Sequence, residues 1–332
     1  MVLTKKLAVL GAGAWGTALA IHVARLGAPV TLWGHEASHV SRLAQARENT
    51  QYLKGVSFPK SLSVSADLDE TIDQAAGILV VVPSEGFANT LEQLAKLNTK
   101  LPILSATKGL DPTSGQLLHT VAEQALPYSP FAVLSGPSFA AEVASGKPTA
   151  VTVGVEDIAT GLLVKQWFHG GAFRLYTSDD IVGVQLGGSM KNPLAIAVGI
   201  SDGLGFGANA RSALITRGLA ELMRLGEALG ANSQTLVGLS GLGDLVLTCT
   251  DDQSRNRRFG LLLARGLGPE KARLKIGQVV EGAKNVAKIL ALAKTKGIEL
   301  PICEQIYEVL HQDKAPQSAV DDLLARAPKS ED

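Results

Sequence analysis

Two cysteines in 332 residues, Cys249 and Cys303, are too few for a disulfide framework and lack metal-ligand spacing. Their default role is packing, which suits a reducing compartment. Charge of one sign is also missing. The 31 Lys and Arg balance the 31 Asp and Glu, so no overall field draws the chain to nucleic acid or an anionic membrane. Any anion must be bound by a local site. No apolar run reaches the roughly 18 residues of a membrane span, and the N-terminus enters a strand pattern without a charged-then-apolar leader. No His/Cys/Asp cluster suggests a metal, and there are no internal repeats or low-complexity segments. The expectation is a soluble cytoplasmic protein, long enough for about two domains.

What is present is organised around KLAVLGAGAWGTALA, residues 6–20. Leu7 to Leu10 form an apolar run without helical period. The run leads into Gly11, Ala12, Gly13, Ala14, Trp15 and Gly16, and an alanine-rich helix pattern follows. That order is strand, tight turn, helix, the context a GxGxxG fingerprint needs to signify dinucleotide binding. Gly11 permits the turn, Gly13 lets a pyrophosphate approach the backbone, and Gly16 allows close helix–strand packing. The first free N–H groups of the helix then face the phosphates. A second strand, Pro29 to Trp33, completes the βαβ unit. An NAD site places an acid at the end of that strand. Here Trp33 is followed by Gly34 and His35, and Glu36 reads as the first turn of the next helix. The pattern favours NADPH over NADH, with His35 either beside the 2′-phosphate or merely a surface loop residue.

Further strand patterns occupy Gly77 to Val82, Pro102 to Ala106, Phe131 to Ser135, Pro148 to Val155 and Phe173 to Thr177, between helical ones. This alternation predicts a doubly wound, mostly parallel α/β sheet of Rossmann type. Ligands of such sheets lie beyond the strands' carboxyl ends. Three polar loops fall there: Pro83 and Ser84; Thr107, Lys108 and Gly109; and Gly136, Pro137, Ser138, Phe139 and Ala140. Beyond residue 179 the β-branched runs stop, so residues 1–179 are expected as the dinucleotide-binding domain and 180–332 as an all-α domain. Ser178, Asp179 and Asp180 read as the N-cap of a helix carrying Gly187, Gly188, Ser189, Met190, Lys191, Asn192 and Pro193. The glycines imply close approach to this helix, by a ligand or by another helix. Pro193 predicts a kink beside the lysine. Downstream, Asp244 lies among small residues, and Ser254, Arg255, Asn256, Arg257 and Arg258 open a helix through Leu263. Arginine at a helix start opposes the dipole unless an anion sits there, so this is either a phosphate site or a solvated basic turn. Gln278 to Gly282 precede another helix, and the tail after Gln312 reads as a short helix with a frayed end.

Taken together, the chain resembles the NAD(P)-dependent glycerol-3-phosphate dehydrogenases of the bacterial biosynthetic type. The likeness rests on GAGAWGTALA, LWGHE, SATKGL, SGPSFAAE, GGSMKN, GLSGLGDLVLTC, SRNRRFG and VVEG in that order, and it spans almost the whole chain. The resemblance implies reduction of dihydroxyacetone phosphate to sn-glycerol 3-phosphate for phospholipid synthesis, by a cytoplasmic homodimer. It makes Lys191 the catalytic lysine, acting as general acid/base. It assigns substrate contacts to Lys108, Gly136, Ser138, Asp244, Ser254, Arg255 and Asn256. It assigns cofactor contacts to Trp15, His35, Lys108, Ala140, Arg255, Val279 and Glu281, in addition to the loop residues Gly11, Gly13, Ala14 and Gly16. Asp244 and Asn192 are candidates to orient the lysine. Two positions depart from the family pattern. Ala14 replaces a common serine and loses its hydroxyl, and Pro193 stands where an aliphatic residue is usual. Two other readings suit parts of the same pattern: a β-hydroxyacid dehydrogenase of the 6-phosphogluconate dehydrogenase type, and a non-catalytic NADPH-binding regulator.

Overall fold

The computed structural model describes residues 5–327. Its strands are β1 (Lys6–Leu10), β2 (Val30–Trp33), β3 (Glu48–Asn49), β4 (Leu53–Ser57), β5 (Leu62–Ser65), β6 (Ala75–Val80), β7 (Ile103–Ser105), β8 (Phe131–Ser135), β9 (Thr149–Val155) and β10 (Phe173–Ser178). Eight of them form one sheet in the order β10-β9-β8-β7-β6-β1-β2-β5, and β3 with β4 forms a separate hairpin. Neighbours in the large sheet run parallel except β8 and β9. Both faces are covered. Leu7 and Val9 of β1 point into one apolar cluster, Ala8 and Leu10 into the other. A strand buried on both sides needs no polar alternation, which is why its sequence is a continuous apolar run. The chain leaves β1 for β2 on one side and returns as β6 on the other, so the carboxyl end of β1 lies where the winding reverses.

Three strand features differ from the sequence reading. The strand expected at Gly77 to Val82 begins and ends two residues earlier: Val81 N–H still donates to the Leu10 carbonyl at 2.8 Å, and the chain then passes against the Gly11 turn. Strand β5, with two serines in LSVS, is an edge strand paired only with β2 and lacks an apolar run. The β3–β4 hairpin has no apolar run either. It is fixed by Arg47, whose guanidinium donates to the carbonyls of Leu62 at 2.8 Å and Pro59 at 2.7 Å.

Contacts divide the chain after Gln185, inside the helix Ile181–Gly203. Ile181 and Val184 of its first turn belong to the core of the sheet unit. Asp180 caps this helix by accepting from Gly183 N–H at 2.7 Å. The second unit is helical from there to the helix Pro316–Leu324. The frayed end expected for the tail falls partly on residues 328–332, outside the described residues.

The helix Ile181–Gly203 runs unbroken through Pro193. It is crossed at backbone contact twice. A Cβ at Gly187 would collide with the carbonyl of Ser240, and one at Gly199 with that of Arg257. The close approach expected at Gly187 is therefore made by protein backbone. These two crossings bring the segments carrying Asp244 and Ser254 to Asn256 against the lysine helix.

Candidate active site

In the sheet unit the glycine loop joins β1 to the helix Ala14–Arg25. Gly11 has φ +126°, and a Cβ there would lie 2.5 Å from the Val81 carbonyl oxygen. A Cβ at Gly16 would collide with the Gly11 carbonyl. Protein packing thus explains both. Gly13 is different: its backbone is extended, at φ −78° and ψ −175°, and a Cβ would meet nothing within 4 Å. No neighbour within the protein requires glycine there, so the bare backbone is suited to a ligand that comes close to it. Gly13 is also the N-cap of the helix, and a glycine has no side chain to satisfy the first N–H groups. The helix starts at Ala14, so Ala14, Trp15 and Gly16 present those groups. A helix start of this kind can receive an anion on backbone N–H groups alone.

At the end of β2, Glu36 is the N-cap of the helix Ala37–Ala46, one residue before the first turn in which it was expected. Its carboxylate accepts from the Ser38 hydroxyl at 2.6 Å and lies 3.7 Å from the Arg42 guanidinium. The Ser38 hydrogen bond chiefly, with Arg42 also contributing, holds it below the ordinary glutamate range. His35 is exposed beside Trp33, their rings 6.5 Å apart. Arg42, which the sequence did not single out, adds a positive charge to this corner.

The other loops follow β7 and β8. Lys108 is half-buried after β7, where Thr107 braces the loop by donating to the Val82 carbonyl at 2.9 Å. Gly136 has φ +143° and is pressed on Val151. Ser138 donates back to the Gly136 carbonyl at 3.0 Å, and Ala140 opens the short helix Ala140–Ala144. All these residues lie beyond strand carboxyl ends.

In the helical unit Lys191 is 7% exposed and donates from Nζ to the fully buried Asp244 carboxylate. Asp244 begins the helix Asp244–Thr250 directly after a π-helical turn, Leu239–Gly243. Such turns are rare, and they re-aim the residues that follow. The Thr248 hydroxyl donates to the Asp244 carbonyl at 2.6 Å. Two charges out of water persist because they are paired, and removing one partner of such a pair typically costs about 3–5 kcal/mol. Cys249 adjoins this pair. Burial pushes its thiol up to about 12, against the opposing pull of Lys191 and Arg257, so it stays neutral.

Asn192, next on the helix, donates to Glu281 Oε2 at 3.0 Å and accepts from Asn256 Nδ2 at 2.9 Å. Asn256 Oδ1 in turn accepts from Gly282 N–H at 3.0 Å. Ser254 caps the helix Arg255–Ala264 by accepting from Arg257 N–H at 3.2 Å, which leaves its own hydroxyl proton to donate elsewhere. Arg255 is half-buried, its Nη1 3.2 Å from Gln278 Oε1. Val279 is 44% exposed, and Glu281 starts the helix Glu281–Thr295. Two further ion pairs were not legible in the run of arginines. Arg257 is buried, bonded to Asp252 and, at 2.7 Å, to Asp202 of the lysine helix. It locks the start of its helix in place. Among the described residues no group of three or more His, Cys, Asp and Glu side chains is disposed to hold a metal, and no helix is long and apolar enough to cross a membrane.

Comparison with known proteins shows the family and the fold. Residues 6–160 match the family model for the NAD-dependent glycerol-3-phosphate dehydrogenase N-terminus, and residues 180–321 match that for the C-terminus. The chain is 54% identical over 327 residues to glycerol-3-phosphate dehydrogenase [NAD(P)+] of Thioalkalivibrio sulfidiphilus, covering 98% of each chain. It is 52% identical over 328 residues to the protein of that name from Edwardsiella ictaluri, covering 98% of this chain and 97% of the relative. The crystal structure of glycerol-3-phosphate dehydrogenase from Coxiella burnetii is similar with a TM-score of 0.94 and 47% identity, covering 97% of this chain and 99% of that one.

Proposed function

The chain belongs to the NAD-dependent glycerol-3-phosphate dehydrogenase family, and on that premise we propose that it reduces dihydroxyacetone phosphate to sn-glycerol 3-phosphate. The reaction is reversible and supplies the glycerol backbone of phospholipids. The observation that carries the proposal is the buried Lys191–Asp244 pair. Reduction of a carbonyl places negative charge on its oxygen, so the chain must supply a proton and a positive neighbour. An ammonium held by a buried carboxylate supplies both from a rigid helix. The nicotinamide, when bound, supplies the hydride. Lys191 then gives its proton to the substrate oxygen, and the Asp244 carboxylate keeps the lysine aimed and disposed to be reprotonated. Gly136, Ser138 and Lys108 are assigned to substrate at the strand ends, with Lys108 also facing cofactor. Ser254, Arg255 and Asn256 hold the substrate phosphate at the start of their helix, where the N–H groups and the guanidinium favour a dianion. Ala14, Trp15, His35, Ala140, Arg255, Val279 and Glu281 complete the cofactor contacts. We place the enzyme in the cytoplasm as a homodimer.

The test is oxidation of NADPH by the purified protein on addition of dihydroxyacetone phosphate. A 6-phosphogluconate-type enzyme would ignore this substrate, and a regulator would bind NADPH without turnover. In the same assay NADPH is expected to give the higher kcat/KM than NADH. The Glu36 carboxylate is engaged by the Ser38 hydroxyl and the Arg42 guanidinium, and Arg42 offers positive charge to a 2′-phosphate beside His35. NADH equal or better would mean that Glu36 leaves Ser38 and Arg42 to hold the ribose.

Arg255→Ala is expected to raise the KM for dihydroxyacetone phosphate by about 10- to 100-fold. A charged hydrogen bond is worth about 1.5–3 kcal/mol, and 1.4 kcal/mol is tenfold. Turnover should change much less, since a phosphate held equally in ground and transition states contributes uniform binding. Steady-state kinetics with an unchanged KM for both substrate and NADPH would make Arg255 a solvated surface charge.

A further inference from the structure

We propose that Asn49 is a positioning residue for the cofactor pyrophosphate: it pins the carbonyl of Ala12 and so fixes the glycine loop in its receiving conformation. The proposal rests on the reading that this loop receives the pyrophosphate. Asn49 is 0% exposed, although asparagine is seldom fully buried. It comes from the β3–β4 hairpin, far along the chain from the loop. Its Nδ2 donates to the Ala12 carbonyl at 2.9 Å and to the Thr17 hydroxyl at 2.8 Å, while its Oδ1 accepts from Tyr52 N–H at 3.1 Å. The orientation of the amide is forced, because the Ala12 carbonyl can only accept and the Tyr52 N–H can only donate. Both amide protons are thereby committed to the glycine-loop region, one on each side of Gly13.

His39 adds to the pin. Its Nε2 lies 3.3 Å from the same Ala12 oxygen, which has two lone pairs and takes both donors. In a planar trans peptide the carbonyl and the following N–H point in opposite directions. Drawing the Ala12 carbonyl inward to Asn49 and His39 therefore turns the Gly13 N–H outward, on the residue where a Cβ would meet nothing. A loop free to rotate this peptide would present a carbonyl oxygen to the pyrophosphate and repel it. The hairpin itself is held: Arg47 accepts Phe58 N–H on its carbonyl at 2.7 Å, and its guanidinium holds the carbonyls of Pro59 and Leu62. Asn49 thus reaches the loop from a fixed base. This also gives the hairpin a purpose that its sequence, without an apolar run, does not show.

The test uses the full chain with Asn49→Ala and Asn49→Asp. The alanine removes the pin. The aspartate keeps its shape but sets a carboxylate oxygen against the Ala12 carbonyl, so it should be the worse of the two. Titration of NADPH should show Kd raised about tenfold for the alanine and further for the aspartate. The KM for NADPH should rise in step. The kcat at saturating NADPH and the KM for dihydroxyacetone phosphate should stay at wild-type values, a split that general loosening of the fold would not produce. Folded variants with wild-type NADPH affinity would overturn the proposal. So would failure of both variants to fold, which would make Asn49 a general structural residue. Gly13→Val separates the premise from the inference. If it too leaves NADPH affinity intact, the pyrophosphate does not sit on this loop, whereas lost affinity there with intact affinity in both Asn49 variants sinks the Asn49 assignment alone.

Discussion

Lys191→Ala is expected to lower kcat by about 10²–10⁴, the range typical of losing a general acid, while the Kd for NADPH stays near its wild-type value. In the proposed mechanism the ammonium meets an oxygen whose charge grows only as hydride arrives, so its removal should act on the transition state and spare the ground state. The substitution also strands Asp244, which is fully buried, so folding of the variant is to be verified by its melting temperature. Lys191→Arg supplies the finer control. It keeps a cation for Asp244, yet a guanidinium does not release its proton at neutral pH. If the arginine variant folds and remains as slow as the alanine, proton donation is what was lost. If it recovers most of the rate, Lys191 serves as a fixed positive charge. Lys108→Ala should instead raise the Kd for NADPH or the KM for substrate together with its effect on rate, because its charge is used before the chemistry begins. A Lys191→Ala enzyme with near-normal kcat would move the acid role to Lys108.

These residues differ in how far the sequence alone exposes them, and the difference is physical. The apolar run of β1 and the glycine loop are consecutive, and buried parallel strands and tight turns leave local patterns, so the dinucleotide fingerprint is legible at once. Gly187 is half legible. Its lack of a side chain signals a close neighbour, but only the fold shows that the neighbour is the Ser240 backbone. Lys191 and Asp244 are 53 positions apart, and no spacing rule joins them. The resemblance named both residues, and the structure supplies their contact. Asn49 and Arg257 carried no usable signal. Each is an ordinary polar residue in a polar stretch, and what sets it apart is burial against partners delivered by another part of the chain. The edge strand β5 was missed for the converse reason. A strand with one neighbour needs little apolar character, so its sequence resembles a loop.

Gly13→Val should raise the Kd for NADPH by about 10²–10⁴ with little effect on folding. Gly13 has an extended backbone that valine adopts readily, and its missing Cβ faces open space. The cost to the protein is that of a poorer helix N-cap, about 1 kcal/mol, a fall in Tm of about 2–4 °C for a unit of this size. The cost to the ligand is larger. A branched side chain at this position holds the pyrophosphate off the first N–H groups of the helix Ala14–Arg25. Loss of two charge-assisted hydrogen bonds at about 1.5–3 kcal/mol each gives the stated range. The neighbouring glycines make the internal contrast. Gly11→Ala would set a Cβ 2.5 Å from the Val81 carbonyl oxygen, in a backbone conformation at φ +126° that L side chains avoid. It should lower Tm by much more than the Gly13 substitution does. Thermal melts and NADPH titrations of the two variants therefore separate the structural glycine from the binding one. A Gly13→Val protein that keeps wild-type affinity would show that the cofactor's phosphates lie elsewhere, whatever the spacing of the motif.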